Sequence, residues 1–409
     1  MDLVLFAHPK FIGHQSMPRY TAMLADGMCK RGHKVEIWTP KPQMVSLPVP
    51  KSFKKWLGYI DQYIIFPFQV RRLLKKKSGN ILFVFTDNAL GPWVPLVCNR
   101  PHVIHCHDFL AQLSAMGVVP ENRTSWTGRQ YQAYIRRGYL KGKNFISVSN
   151  KTREDLHKFL PFKPSCSKVV YNGLNQKFEP IDMVEARLLL GESLSLNLVS
   201  GFLLHVGGND WYKNKVGVIQ IYNDWRNAGG SDLPLLLIGS APSPELSELY
   251  EQSPFKKDIH FLTGITDELV RLAYAGAAVF LFPSLAEGFG WPIAEAMASG
   301  CPVITTNEAP MKEVAGQAGF FVSRKPNDPS KLAEWTKEVS VVINHVLGMS
   351  DEMRNNVREA GILNAKRFDT ESALDKIEAI YLSIYEGQKK QSAVIDYGEE
   401  EATTIIDKQ

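Results

Sequence analysis

Long hydrophobic runs are missing from this sequence. No uninterrupted apolar stretch reaches the roughly 18–20 residues that a membrane-spanning helix needs. The longest, at residues 81–85 and 277–282, have the length of a β-strand. The N-terminal residues enter a strand-like segment without a basic and apolar leader. We therefore expect a cytoplasmic protein that is neither secreted nor membrane-spanning.

Cysteine is scarce and unpatterned. The five cysteines are scattered along the chain, and no two of them form a CxxC pair. An odd number of dispersed cysteines is typical of reduced thiols in the cytoplasm, and it offers no spacing for a zinc site. The sequence thus predicts neither disulfide bonds nor a structural zinc ion.

Charge is distributed unevenly along the 409 residues. Residues 1–180 contain 27 Lys and Arg against 10 Asp and Glu, whereas residues 181–409 contain 20 against 32. The overall composition, 44% hydrophobic and 22% charged, is typical of a soluble globular protein. A chain of this length exceeds one ordinary core, so the two halves of opposite charge predict two domains with different partners.

Strand-length apolar runs alternate with helical patterns from end to end. This alternation predicts βαβ units and parallel sheets in both halves of the chain. We therefore predict an α/β fold with two doubly wound, Rossmann-like domains that face a cleft. Ligands are expected at the carboxyl ends of the strands, where they meet that cleft.

The domain boundaries follow from the weakly patterned stretch at 191–200, which we interpret as a linker. We place the N-terminal domain at residues 1–185 and the C-terminal domain at residues 198–369. Residues 389–409 contain many charges and few core residues, so a disordered tail is expected there.

The most informative segment is 278–303, where a buried strand, a loop and a helix follow one another. The loop contains Gly288 and Gly290, and Pro292 stands where a first helical residue is favoured. A strand, a glycine loop and a helix start together form an anion site, because backbone N–H groups point outward and the helix dipole favours negative charge.

Two carboxylates flank this loop: Glu287 at its entry and Glu295 in the expected first helical turn. Both can face one ligand if the loop folds back, which its glycines permit. Carboxylates would repel a phosphate, so we expect them to accept hydrogen bonds from hydroxyl groups. A ligand with hydroxyl groups on both sides of a diphosphate is a nucleotide sugar.

The stretch from Glu287 to Glu295 resembles the E-x7-E donor motif of family 4 retaining glycosyltransferases, which have the GT-B fold. Weaker similarities to the family follow in its order at 31–35 (RGHKV), 145–156 (FISVSNKTREDL), 172–173 (NG) and 258–278. The resemblance implies transfer of a hexose from a nucleotide-diphosphate sugar to a hydroxyl of a glycan or lipid-linked acceptor, in polysaccharide or glycolipid biosynthesis.

The resemblance also implies roles for the site residues. Glu295 would bind the ribose hydroxyls of the nucleotide, and Glu287 would contact hydroxyls of the transferred sugar as a catalytic residue, with backbone amides around Phe289 nearby. The C-terminal domain would bind the donor and the N-terminal domain the acceptor. A helix over 370–388 would cross back onto the first domain.

A second glycine loop, Gly207-Gly208, follows the strand predicted at 202–206. It resembles the family's phosphate loop, in which an Arg and a later Lys hold the diphosphate. Lys213 matches the Lys, whereas Gly208 stands at the Arg position. The contact that this Arg makes with the diphosphate is either absent here or replaced by Lys215 or by loop amides. Lys213 would stabilise charge on the departing phosphate.

Catalysis without a metal or other cofactor is expected. The chain contains no DxD motif, which argues against a metal-dependent nucleotide-sugar site. No Asp or Glu stands out as the carboxylate nucleophile that retaining hydrolases use. The resemblance implies front-face attack, in which the donor phosphate helps to deprotonate the acceptor hydroxyl.

In the first domain, the sequence at 105–108 (HCHD) resembles the family's HxHD element. We expect His105 to be an inward-facing structural residue, His107 to act at the reaction centre and Asp108 to lie on the acceptor side. Gly13, His14 and Arg19 replace the family's usual glycine-rich loop and are also expected on the acceptor side.

An amphipathic helix is predicted from the spacing of Phe53, Trp56, Leu57, Ile60 and Ile64, with lysines and arginines around it. It either packs into the core with a solvated basic face or lies on a membrane surface. The basic first half would attract anionic lipid or a phosphate-bearing acceptor. No nucleic-acid-binding module is recognisable, so no nucleic acid is expected as a partner.

Two rival functions fit parts of the pattern. A nucleotide-sugar epimerase or a phosphorylase would keep the fold and change the reaction, although the E-x7-E motif favours a transferase. A non-catalytic protein of the same fold that binds sugar or membrane would explain Gly208 in place of Arg.

Overall fold

The computed structural model describes residues 1–13, 16–77, 81–174 and 177–387. The described chain forms two six-stranded parallel sheets. The first has the order β2-β1-β3-β4-β5-β6 and contains β1 (Asp2–Phe6), β2 (Lys34–Trp38), β3 (Ile81–Phe85), β4 (His102–Cys106), β5 (Asn144–Ser147) and β6 (Cys166–Val169). The second has the order β12-β11-β10-β7-β8-β9 and contains β7 (Leu203–Gly207), β8 (Leu235–Gly239), β9 (Ile259–Leu262), β10 (Val279–Phe282), β11 (Val303–Thr306) and β12 (Phe320–Val322).

Helices cover both faces of each sheet. Those before β7 are α1 (Ser16–Lys30), α2 (Lys51–Ile60), α3 (Phe66–Lys76), α4 (Leu110–Ala115), α5 (Trp126–Tyr139), α6 (Asn150–Phe159) and α7 (Met183–Leu194). Those after β7 are α8 (Lys215–Asn227), α9 (Pro244–Gln252), α10 (Asp267–Gly276), α11 (Trp291–Ala298), α12 (Met311–Ala315), α13 (Leu332–Leu347), α14 (Asp351–Ala365) and α15 (370–387). The predicted α/β fold with two doubly wound domains is confirmed.

The apolar runs of the sequence became central strands because both faces of a parallel sheet are covered. Every residue of β3 and β4 is buried. On one face of the first sheet, Phe6 stacks on Phe85 with ring centroids 4.6 Å apart, and Trp93 closes that core. The buried core holds the strands in place, and the site residues follow the carboxyl ends of these strands.

The last helix, α15, packs on the other face of the first sheet, against residues that are distant from it in sequence. Leu374, Ile377 and Tyr381 belong to the same core cluster as Leu5 and Leu24. The helix therefore links the end of the second domain to the first domain. Residues 389–409, for which a disordered tail is predicted, lie outside the described residues.

Helix α7 occupies part of the stretch interpreted as a linker. Ala186 and Leu190 are buried in the core of the second domain, whereas Leu188 and Leu189 are 48% and 43% exposed. Apolar residues thus lie on both sides of the helix, which explains why the sequence lacks a clear helical period. Residues 195–202 connect this helix to β7 without regular structure.

Helices α2 and α3 form one continuous helical segment through a π-helical turn at Asp61–Ile65. Phe53, Trp56 and Ile64 are 58%, 62% and 53% exposed, so the core-packing interpretation of the amphipathic pattern is wrong for these three side chains. Phe68 extends the exposed apolar stripe. No described helix is long and apolar enough to cross a membrane.

Candidate functional site

A cleft of about 840 Å³ lies between the carboxyl edges of the two sheets. The first domain contributes Arg19, His107 and Asp108 to its lining. The second domain contributes the residues predicted to hold the donor: Gly207, Gly208, Lys213, Glu287, Gly288, Phe289, Gly290 and Glu295. The structure thus brings these eleven predicted residues together at one place.

The loop between β10 and α11 folds back as expected. Its two glycines are needed for different reasons, one for its backbone conformation and the other for lack of space. Gly290 is the N-cap residue of α11 and has φ +103°, a conformation that other residues rarely adopt. Gly288 is needed for space, since a Cβ atom there would lie 1.9 Å from the carbonyl oxygen of His107. The donor loop therefore touches the first domain backbone to backbone.

Glu295 lies in the second turn of α11, as its fifth residue, and not in the first turn as predicted. The helix begins at Trp291, one residue before the expected first helical position at Pro292, because Gly290 serves as its N-cap. The hydroxyl of Tyr274 donates a hydrogen bond of 2.9 Å to Glu295 Oε2. Burial raises the pKa of Glu295 to about 7, while the Tyr274 hydrogen bond and the charge of Lys213 act to lower it.

Glu287 and Lys213 form an ion pair in the cleft. Lys213 Nζ lies 2.8 Å from Glu287 Oε1, and the two side chains are only 14% and 7% exposed. Ser284 Oγ donates to the same carboxylate oxygen at 3.0 Å. Lys213 Nζ also lies 5.2 Å from the centre of the Phe282 ring. The carboxylate and the cation predicted for one ligand therefore contact each other directly.

Among the described residues, the cations that line the cleft are Lys213 and Arg19. Lys215 donates to Asn209 Oδ1 at 3.1 Å and does not line the cleft, and burial lowers its pKa to about 8. Arg19 extends from α1 and lies 3.5 Å from Asp267 at the start of α10. It is half exposed and reaches across to the domain that holds the donor loops.

His107 is held in one orientation by its surroundings. Its Nε2 atom donates to the carbonyl oxygen of Thr86 at 2.9 Å, which leaves Nδ1 as the acceptor of a neutral ring. The Tyr20 ring packs against it edge-on at 4.5 Å. Burial lowers the pKa of His107, because the protonated ring is poorly solvated there. The imidazole is therefore neutral at physiological pH.

His105 is buried and faces inward, as predicted. Its Nδ1 atom is 2.7 Å from the hydroxyl of Tyr20, and its Nε2 atom is 2.6 Å from the hydroxyl of Tyr381. Tyr381 belongs to α15, so His105 connects the crossing helix to the ring that packs on His107. This contact between distant segments explains a strand-end histidine without any catalytic role.

Asp108 lines the first-domain wall of the cleft. Burial, with the neighbouring charges of Asp87 and Glu287, raises its pKa to about 6, although the N–H of Leu110 donates to Oδ1 at 3.0 Å. Asp87 is itself paired with His8 at 2.8 Å. Asp108 thus lines the cleft beside a second carboxyl group, Asp87, which does not line it.

The acceptor-side prediction for Gly13 and His14 is not supported by the cleft lining that the described residues form. Gly13 ends a 3₁₀ turn, Lys10–Ile12, in the left-handed conformation and does not line the cavity. His14 lies outside the described residues. Their expected role on the acceptor side remains a prediction.

The two domains are joined beside the donor loop by the start of α6. Ser149 Oγ and Thr152 Oγ1 donate to the carbonyl oxygen of Gly288 at 2.7 and 3.0 Å. Glu313 of the second domain accepts from the backbone N–H of Asn150 at 2.7 Å. The pattern at 145–156 is visible in the sequence, but the role of Glu313 is not, because Glu313 lies 163 residues from Asn150 along the chain.

No group of three or more His, Cys, Asp or Glu side chains that could hold a metal ion occurs among residues 1–13, 16–77, 81–174 and 177–387.

Comparison with known protein families matches each domain separately. Residues 17–178 match the model described as Glycosyltransferase Family 4, and residues 202–340 match the model described as Glycosyl transferases group 1.

Several relatives are mannosyltransferases. The MMP alpha-(1->4)-mannosyltransferase of Mycolicibacterium hassiacum is 35% identical over 294 residues, which cover 68% of this chain and 67% of that protein. The O-antigen chain mannosyltransferase B of Escherichia coli is 32% identical over 176 residues, 42% of this chain. The match spans 43% of the Escherichia coli protein, less than half of its length.

Solved structures agree on the architecture. Anabaena HepE, in a complex with UDP and glucose, superimposes with a TM-score of 0.68 at 16% identity over 94% of this chain and 100% of that one. WaaG, a glycosyltransferase involved in lipopolysaccharide biosynthesis, superimposes with a TM-score of 0.66 at 16% identity over 93% of this chain and 99% of that one. The chain belongs to glycosyltransferase family 4, and it is a glycosyltransferase with the two-domain GT-B fold.

Proposed function

We propose that this glycosyltransferase moves a hexose, specifically mannose, from a nucleotide-diphosphate donor to a hydroxyl of a glycan or lipid-linked acceptor, with retention of anomeric configuration. The convergence of Glu287, Lys213 and Glu295 in one cleft opposite His107 is the observation that supports this proposal most directly. The choice of mannose rests on the mannosyltransferases among the relatives.

Donor binding requires an exchange of partners at the ion pair. Lys213 leaves Glu287 Oε1 and binds the diphosphate, while Glu287 and the Glu295 carboxylate accept hydrogen bonds from sugar and ribose hydroxyls. Such charge-assisted hydrogen bonds contribute about 1.5–3 kcal/mol each. Arg19 supplies the second positive charge near the phosphates, where Gly208 leaves the loop without a side chain.

The chemical step forms a bond between the acceptor oxygen and the anomeric carbon, and it breaks the bond from that carbon to the phosphate oxygen. The acceptor proton passes to the departing phosphate on the same face of the sugar. Lys213 and the N-terminus of α11, whose first residues line the cleft, stabilise the negative charge that develops there. His107 Nδ1 accepts a hydrogen bond from a hydroxyl of the sugar and holds the ring in position. We propose that the step proceeds without a metal ion.

We also propose that the enzyme works at an anionic membrane surface. The exposed apolar stripe of α2 and α3, with the exposed Arg71 and Arg72 beside it, supports this location. Co-sedimentation with vesicles containing an anionic phospholipid, at low and high salt, tests it. Arg71→Glu combined with Arg72→Glu is expected to abolish salt-sensitive binding, and equal binding of this variant would contradict the proposal.

The transferase proposal is tested with a panel of nucleotide-diphosphate mannoses and glucoses, with the anomeric configuration of the product read by NMR. Glu295→Ala and Lys213→Ala are expected to lower turnover about 100-fold or more. Glu251→Ala and Lys256→Ala, which change an exposed ion pair of the same domain, are matched controls and are expected to retain turnover. Undiminished turnover by the first two variants rejects the site. An inverted product rejects retention, and loss of activity with EDTA rejects metal independence.

A further inference from the structure

A second cavity, of about 480 Å³, lies wholly within the first domain. We call it the tyrosine pocket. It lies between the end of β1, the helical segment through α2 and its π-helical turn, and α5. Its walls include Phe11, Tyr59, Tyr63, Trp93 and Tyr131. None of the motifs in the donor cleft accounts for it.

The walls of the tyrosine pocket are largely aromatic, and two of their three tyrosine hydroxyls bond to each other. The hydroxyls of Tyr63 and Tyr131 are 2.6 Å apart, and the rings of Tyr59 and Tyr131 stack at 5.4 Å. Trp93 donates its indole N–H to the carbonyl oxygen of Gln62 at 2.9 Å. The pocket therefore presents ring faces to a ligand, while the hydroxyls of Tyr63 and Tyr131 and the indole N–H of Trp93 already have partners.

Charge distinguishes the tyrosine pocket from the donor cleft. Its described lining contains Lys54 and Lys55 and no carboxylate, whereas four carboxylates line the cleft. Lys54 donates to the carbonyl oxygens of Val45 and Leu47 at 2.7 and 2.6 Å, which fixes its ammonium group at the rim. Lys55 is exposed and lies 5.9 Å from the Tyr59 ring. An apolar ligand with a negative group at one end complements this lining.

The tyrosine pocket connects an exposed apolar surface to the acceptor side of the cleft. Trp56, 62% exposed, packs edge-on against Tyr59 at 5.9 Å, so the apolar stripe of α2 continues into the pocket. At the other end His8 lines the pocket and pairs with Asp87, whose charge acts on Asp108 in the cleft. A ligand in the pocket thus lies beside the wall from which an acceptor must approach the donor.

We propose that the tyrosine pocket binds the lipid chain of an acceptor whose glycan is attached through a phosphate, with that phosphate at Lys55. This inference rests on the proposed transferase function and names the class of its acceptor. The apolar walls and the excess of positive charge select a lipid phosphate over a free glycan. The acceptor is held by its chain in the first domain while its terminal sugar reaches the cleft.

Isothermal titration with farnesyl phosphate, a short soluble lipid phosphate, tests the proposal in the full-length protein. Farnesyl phosphate is expected to bind, whereas inorganic phosphate and a free mannose disaccharide are not. Gly58→Leu inserts a side chain into the pocket toward Phe11, whose ring is 3.3 Å from the position of the added Cβ. We expect it to weaken farnesyl phosphate about tenfold or more. Leucine also has the higher helix propensity, so the helix is retained.

A matched lysine pair tests the charge. Lys55→Ala is expected to weaken farnesyl phosphate about threefold, as for an exposed ionic contact, and Lys76→Ala, on α3 outside the pocket, to leave it unchanged. Binding that survives Gly58→Leu, or a disaccharide that binds in place of the lipid, overturns the proposal. Equal binding of dihexanoyl phosphatidylglycerol also overturns it, because the site would then recognise phospholipid in general.

Donor binding separates this inference from the proposed function. All three variants are expected to bind the nucleotide sugar like the unmodified protein, since none of the changed residues lines the donor cleft. Failure of farnesyl phosphate with normal donor turnover rejects the tyrosine pocket alone. Absence of donor binding and turnover in the unmodified protein rejects the transferase proposal.

Discussion

Replacement of Tyr274 by Phe is expected to change the pH at which the donor binds. Burial raises the pKa of Glu295 to about 7, and the hydrogen bond from the Tyr274 hydroxyl to Oε2 opposes that rise. Glu295 must be ionised to accept hydrogen bonds from both ribose hydroxyls. Donor affinity is therefore high above the pKa and falls as the pH decreases through about 7.

The size of the effect follows from the hydrogen bond that Tyr274→Phe removes. A hydrogen bond to a charged group contributes about 1.5–3 kcal/mol, and one pH unit corresponds to 1.36 kcal/mol. The midpoint of the affinity profile should move upward by about one to two pH units. At pH 7 the donor would then bind roughly tenfold more weakly, while at pH 9 the two proteins would differ little.

Isothermal titration of the nucleotide sugar between pH 5.5 and 9 measures this shift. The intact sugar diphosphate is a diester without a phosphate pKa in that range, so the ligand does not titrate. Glu295→Gln is the control, because it removes the group that titrates near pH 7 and should give weak binding without a transition there. An unchanged midpoint in Tyr274→Phe, or a retained pH profile in Glu295→Gln, would refute the assignment of Glu295 to the ribose.

Three further substitutions test the cleft and the joint between the domains. Gly288→Ala should separate the domains, because the added Cβ meets the His107 carbonyl oxygen; small-angle scattering should show a larger radius of gyration with activity lost. Lys213→Ala should lower kcat about 100- to 1000-fold. It should also reduce the free energy of unfolding in urea by about 3 kcal/mol, because Glu287 is left buried without its cation. Glu313→Gln should reduce stability by about 0.5–1 kcal/mol through the weaker contact with the α6 N-terminus. An unchanged radius of gyration, an unchanged kcat or an unchanged free energy of unfolding would contradict the respective expectation.

The fold class was predictable because its determinants are local. Strands such as β3 are buried on both faces, so they appear in the sequence as continuous apolar runs between helical patterns. The segment from Glu287 to Glu295 was predictable for the same reason, since strand, loop and helix are adjacent in the chain. Helix α7 was missed because Leu188 and Leu189 are exposed and obscure its period.

The composition of the site was only partly predictable. Lys213 and Glu287 were recognised separately, but their direct contact joins residues 74 positions apart and depends on how two loops of one domain fold together. Arg19 lines the cleft although it is far in sequence from the glycine loop, whereas Lys215, close to that loop in sequence, does not line it. Sequence proximity to a glycine loop does not determine which side of that loop a lysine occupies.

The sequence by itself determined the two α/β domains, the order of their strands along the chain and the residue types of the donor loops. Tertiary structure alone decided which charges face each other, how Glu313 joins the domains, and that Phe53 and Trp56 remain exposed beside a pocket. The physical reason is the range of the interactions. Strand and helix formation depends on neighbouring residues, whereas ion pairs and cavities depend on the packing of segments far apart in the chain.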